Sequence, residues 1–100
     1  MRLIFILIML LSTFGLAESK NPDAAKKVFG KIQVVDSFPD YKVKVVTSFP
    51  DLKVQKVTSF PDDPGEWQMV DSFPDFKIQF VDSFPDFTIQ WVDSFPGPTK

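Results

Sequence analysis

One tetrapeptide, Ser-Phe-Pro-Asp, begins at Ser37, Ser48, Ser59, Ser72 and Ser83 and returns at Ser94 with Gly97 in place of the aspartate. The spacing is 11 residues except for one interval of 13, where Pro64-Gly65 is inserted. From Lys31 the chain therefore reads as six units: KIQVVDSFPDY, KVKVVTSFPDL, KVQKVTSFPDD, EWQMVDSFPDF, KIQFVDSFPDF and TIQWVDSFPGP. A unit this short cannot bury its own apolar face, so it depends on its neighbours for a core. Proline fixes φ and removes a backbone donor, which makes each tetrapeptide a corner between β-prone segments.

Alternation within the units picks out the buried face. Tyr41, Val43 and Val45, then Phe76, Ile78 and Phe80, then Phe87, Ile89 and Trp91 are spaced by two and share one side of a strand. Intervening residues such as Lys42, Lys44, Lys77 and Gln79 are polar and face the other way. The fifth residue of every unit is valine. Together with the corner phenylalanines Phe38, Phe49, Phe60, Phe73, Phe84 and Phe95, these valines are expected to close the ends of the core, with each ring buried. Phenylalanine before proline is expected to be extended, with a trans bond. Corner Asp or Thr residues before the serine are expected to accept bonds from unpaired backbone donors.

The rest of the chain leads up to this array. Met1 and Arg2, the apolar run Leu3–Leu11 and the small residues Gly15 and Ala17 have the layout of a secretory signal peptide over residues 1–17. That uncharged stretch is shorter than a spanning helix requires, so no stable membrane insertion is expected once the leader is removed. Residues 18–30 read as a flexible lead-in with a turn or helix-start signal at Asn21-Pro22-Asp23, and residues 31–98 as the β-repeat domain. A secreted or periplasmic location follows.

Composition removes several kinds of chemistry. The chain has no Cys and no His, hence no disulfide, thiolate, imidazole base or usual zinc ligand. A net charge of −2 without a basic stripe speaks against nucleic acid as a partner. The aspartates recur at equivalent corners, whereas acid–base catalysis needs carboxylates in unequal surroundings. The Asp-Ser pairs lack an activating base, and the glycine-rich turns of calcium-binding β-rolls are missing. The chain is accordingly read as no enzyme, with no catalytic residue, metal or cofactor. Gln68, Gln79 and Gln90 share the outer face, where a Gln/Lys strip is a candidate binding surface. Trp67 and Trp91 occupy inward positions and read as core before they read as a carbohydrate platform.

The third unit departs from the pattern. Lys56 stands at the inward fourth position and Asp63 at the inward last position, just before Pro64-Gly65. An edge strand that carries charge to discourage strand addition explains this. A binding or hinge site is the rival account.

Repeated behind a leader from Lys31 to Pro98, the pattern Lys, Val or Ile, Gln or Lys, apolar, Val, Asp or Thr, Ser, corner resembles the septoil knot (7-1 knot) domain family. Here the corner is Phe-Pro-Asp, where many members carry Tyr, Gln and Ala. The resemblance implies an all-β domain of six or seven short strands, compact and deeply knotted, and it brings no activity, cofactor or site. The residues by themselves also allow a small β-solenoid or a meander barrel. Pairing distinguishes the three: parallel stacking of unit n on n+2 or n+3 for a solenoid, antiparallel neighbours for a meander, and early strands beside late ones for an interwound chain. The functional expectation is an exported, non-enzymatic structural or interaction module, acting as a monomer. The alternative is a glycan or cell-surface ligand-binding protein that uses the outer Gln/Lys face.

Overall fold

The structure, a computed structural model, describes residues 19–99. The leader assignment lies outside them. Seven strands form in chain order: β1 (Gly30–Val34), β2 (Tyr41–Val45), β3 (Leu52–Lys56), β4 (Glu66–Met69), β5 (Phe76–Phe80), β6 (Phe87–Trp91) and β7 (Gly97–Pro98). Each of the first six occupies the alternating, β-branched or aromatic head of a unit and stops before the Ser-Phe-Pro corner, where a strand cannot continue.

The strand order is β4-β1-β5-β2-β6-β3-β7, and an additional β3–β4 pairing closes the first six strands into a barrel. All pairings among those six are parallel, and only β7 runs antiparallel, on β3. Early strands thus lie between late ones. The chain makes one circuit as β1, β2 and β3 and a second as β4, β5 and β6, each strand of the second filling a gap in the first. Most steps along the chain skip one place in the barrel, but β3 to β4 moves to the adjacent place, and this is where Pro64-Gly65 is inserted. The two extra residues supply the change of step that makes the circuits interleave.

At every interface the neighbour is displaced by two residues. Ile32 lies opposite Phe76, Ile78 opposite Tyr41, Val43 opposite Phe87, Ile89 opposite Leu52, Lys56 opposite Trp67 and Trp67 opposite Gly30. A uniform stagger tilts the strands and brings equivalent positions to the same level of the barrel. The second residues of the units (Ile32, Val43, Val54, Trp67, Ile78 and Ile89) form the middle layer and are fully buried. Each such side chain contributes roughly 1.5 to 3 kcal/mol.

The two ends of the barrel differ. At the N-terminal end of the strands, Lys20 and Asn21 donate to the carbonyls of Pro85 and Asp86, and a 3-10 turn over Pro22–Lys26 buries Ala24 and Ala25 in the core. Val28 is fully buried, and its carbonyl accepts the Trp67 indole N–H at 2.8 Å. The lead-in is therefore not a flexible tether, because its small apolar residues close this end. Thr88 stands where four of the other units have lysine, and it is buried. At the opposite end the fourth residues form the rim: Val34, Val45 and Phe80 are exposed, Met69 and Trp91 half-buried, and Lys56 exposed.

The edge reading of the third unit is corrected by this closure. β3 has β6 on one side and β4 on the other, so Lys56 and Asp63 guard no sheet edge. Both are exposed, and Lys56 is accommodated because its strand position falls at the open rim. Among the described residues no helix is long and apolar enough to cross a membrane.

Candidate functional site

The corners cross the outer face of the barrel. Except for the corner after β3, whose two strands are paired neighbours, each links two strands separated by a third and passes over that third strand. The corner after β1 passes over β5: Asp40 N–H donates to the Lys77 carbonyl at 2.8 Å, and the Asp40 carboxylate accepts Lys77 N–H at 2.8 Å. The same reciprocal pair joins Asp75 to Lys31, Asp86 to Lys42 and Asp51 to Thr88. A side-chain carboxylate here takes the place of a backbone acceptor, so a single corner residue makes a two-bond bridge to the strand beneath it. Asp51 is further engaged by the Ser19 and Thr88 hydroxyls. In the last unit Gly97 pairs through its backbone with Lys53, the equivalent residue of β3. The third unit differs again, since Asp62 and Asp63 N–H both donate to the Glu66 side chain at 3.1 Å. The aspartate after the proline, and not the Asp or Thr before the serine, makes these carboxylate bridges.

Two glycines permit the close approach. Gly30 has φ +107°, and a β-carbon there would lie 2.5 Å from an Asp75 carboxylate oxygen. Gly65 has φ +92°, and its β-carbon would lie 2.5 Å from the Gly97 nitrogen and 2.6 Å from the Lys53 carbonyl.

Burial of the corner phenylalanines is overturned. Phe38, Phe49, Phe60, Phe73, Phe84 and Phe95 are 75% to 97% exposed. At five corners the strand beneath separates the ring from the core, and the corner that joins the neighbouring strands β3 and β4 also leaves Phe60 exposed. Nor is the backbone extended at these residues. All six have φ between 51° and 54°, with trans bonds to the following proline. Proline disfavours the right-handed helical region for the residue before it, and the corner turns through the left-handed one. That region costs an L-residue roughly 1 to 2 kcal/mol, here repeated six times.

The outer Gln/Lys strip is largely overlaid by these corners. The Gln79 amide donates to the Asp36 carbonyl at 2.9 Å, and Gln33 makes the same bond to Asp71. Gln79 thus fastens a corner and does not lie open as a binding residue. Gln68 is half-buried on β4, opposite Lys31. Gln90 lines a groove of about 450 Å³ with Phe49, Pro50, Lys53 and Thr99. The three glutamines are spread round the barrel and are not gathered in one site.

The rim carries a different constellation. Trp91 meets Trp67 edge to face, with centroids 6.0 Å apart at 89°, and Phe80 at 6.4 Å. The Lys56 ammonium lies 4.7 Å from the Trp91 ring centroid. Beside them Gln55, Lys56, Trp91, Val92 and Asp93 line a cleft of about 270 Å³. Reading the chain gave the two halves of this site separately, Lys56 in a unit whose rival account was a binding or hinge site and Trp91 as core before carbohydrate platform. The signal that Lys56 breaks the apolar fourth position kept by the other five units did not show that the two meet.

Interleaved circuits with corners laid over the intervening strands define a topology that few folds share. Residues 25–99 match the 7(1) septoil knot domain. The chain belongs to this family. No curated protein matches it. The septoil knot family assignment agrees with a small structural β-repeat domain and names no ligand.

Proposed function

We propose that this septoil knot protein is an exported, non-enzymatic interaction module that presents its corner phenylalanines to an apolar-pocketed partner outside the cell. The observation that carries this reading is the exposure of all six rings on left-handed backbone. Glycine or asparagine suits such a position better than phenylalanine, and an exposed ring adds little to the core. Aromatic side chains that protrude without contributing to folding are suited to anchoring a contact. The aspartates support the non-enzymatic part of the reading, because four of them make equivalent bridges to the backbone. The leader-like residues 1–17 support export.

The test is to secrete the full chain and to measure the fraction retained on the surface of the producing cell. A variant with Phe38→Ser, Phe73→Ser and Phe84→Ser should lose most of that retention while keeping the same circular dichroism and a single cooperative melting transition. Equal retention would refute the interaction role. Secreted material whose mass begins at Met1 would refute processing of the leader.

A further inference from the structure

The rim cleft at the C-terminal ends of β3 and β6 joins the largest fourth-position side chain, Trp91, to the only charged one, Lys56. We propose that this cleft is a binding site for a neutral saccharide, seated with a C–H face of the sugar ring on the Trp91 indole.

Four features of the cleft lead to that ligand. First, the indole packs in T-shaped contacts with Trp67 and Phe80, so the platform is ordered before a ligand arrives and loses little freedom on binding. Second, the ring face over which the Lys56 ammonium stands at 4.7 Å attracts the polarised C–H groups of a sugar for the same reason, the negative face of the ring, and the exposed Lys56 side chain swings aside to admit it. Third, Gln55 supplies an amide donor and acceptor, Asp93 acceptors and Lys56 donors, which suits hydroxyls that both give and accept hydrogen bonds. Fourth, the volume of about 270 Å³ lies just below the roughly 300 to 1,000 Å³ of pockets for drug-sized ligands, which fits a ligand of ring size.

Alternative chemistries fit less well. Lys56 and Asp93 bring opposite charges to the same cleft, so an anion gains at one side what it loses at the other. A purely apolar ligand would strip water from Gln55, Lys56 and Asp93 without replacing it. None of the corner phenylalanines lines the cleft, so the proposal stands or falls separately from the belt of exposed rings.

Titration of the full secreted chain with chitotriose and with cellotriose, and with trigalacturonate as the charged counterpart, tests the proposal by tryptophan fluorescence. Trp67 is fully buried and packs against Trp91, so a change on binding by either indole reports a ligand at Trp91. A saturable change is expected with at least one neutral trimer at a Kd of about 1 mM, the strength of a small, shallow site. Gln55→Ala and Asp93→Asn alter side chains at the surface and should each weaken binding about fivefold, with the melting temperature unchanged. Trp91→Phe should weaken it further, and the two surface variants decide the matter if that protein is unstable. The proposal is overturned by the absence of a saturable change with either neutral trimer up to about 10 mM, well above the expected Kd. It is equally overturned by binding of trigalacturonate alone, or by affinities that neither surface variant alters.

Discussion

Replacing Phe73 by glycine separates a ring that closes a core from one that is displayed. A buried phenylalanine truncated to a small residue costs roughly 3 to 5 kcal/mol. Phe73 is 90% exposed, and a phenylalanine can bury about 200 Å², so only about 20 Å² of ring is at stake. At about 25 cal/mol per Å² that amounts to about 0.5 kcal/mol. Against this, φ at Phe73 is 53°, and releasing an L-residue from the left-handed region returns roughly 1 to 2 kcal/mol. Glycine gives back roughly 0.5 to 1 kcal/mol through its greater freedom in the unfolded chain. The net effect lies between about 0.5 kcal/mol destabilising and about 1 kcal/mol stabilising, combining these terms. Phe73→Ala keeps the backbone strain and should cost about 0.5 kcal/mol, the ring term alone. Equilibrium urea unfolding measures both, with an unchanged slope showing that the unfolded state is the same. A loss above about 2 kcal/mol for either variant, beyond the usual range for a surface change, would place the ring in a buried contact and refute the outward corner.

Two further outcomes probe the bridges and the close approach. Asp75→Ala removes the carboxylate acceptor of Lys31 N–H. Because that bond is exposed, the cost should be about 1 kcal/mol, and hydrogen exchange at the Lys31 amide should quicken. Gly65→Ala should cost more than about 3 kcal/mol, since it adds left-handed strain to overlap with backbone; a shift of the urea midpoint measures it, because the β-carbon would press on both Gly97 and Lys53.

Much of the fold was legible because the repeat is nearly perfect. Alternation placed Val43, Ile78, Phe87 and Ile89 inside, and all are fully buried. The same alternation misjudged the fourth position. Val45 and Phe80 point along the buried face but lie at the open mouth, and they remain exposed. The period of two tells which side of a strand a residue is on, not how far along the barrel axis it lies. The corner failed for a similar reason. A Phe-Pro step between two strands looks the same whether the chain turns beneath the sheet or across its outside. Pro64-Gly65 read as an irregularity, and in the folded chain it is the change of step between circuits.

What the amino-acid order determined by itself was local: six strand-and-corner units, their inward and outward faces, and the family they resemble. Those properties depend on residue type and spacing within a unit, and such short-range preferences are visible in any one copy. Tertiary structure alone decided which strand lies under each corner, and with it the outward rings, the aspartate bridges and the closed end formed by the lead-in. It also brought Trp91 beside Lys56, 35 residues away in the chain. Near-identical units have near-identical pairing preferences, so only closure of the whole barrel selects partners among them.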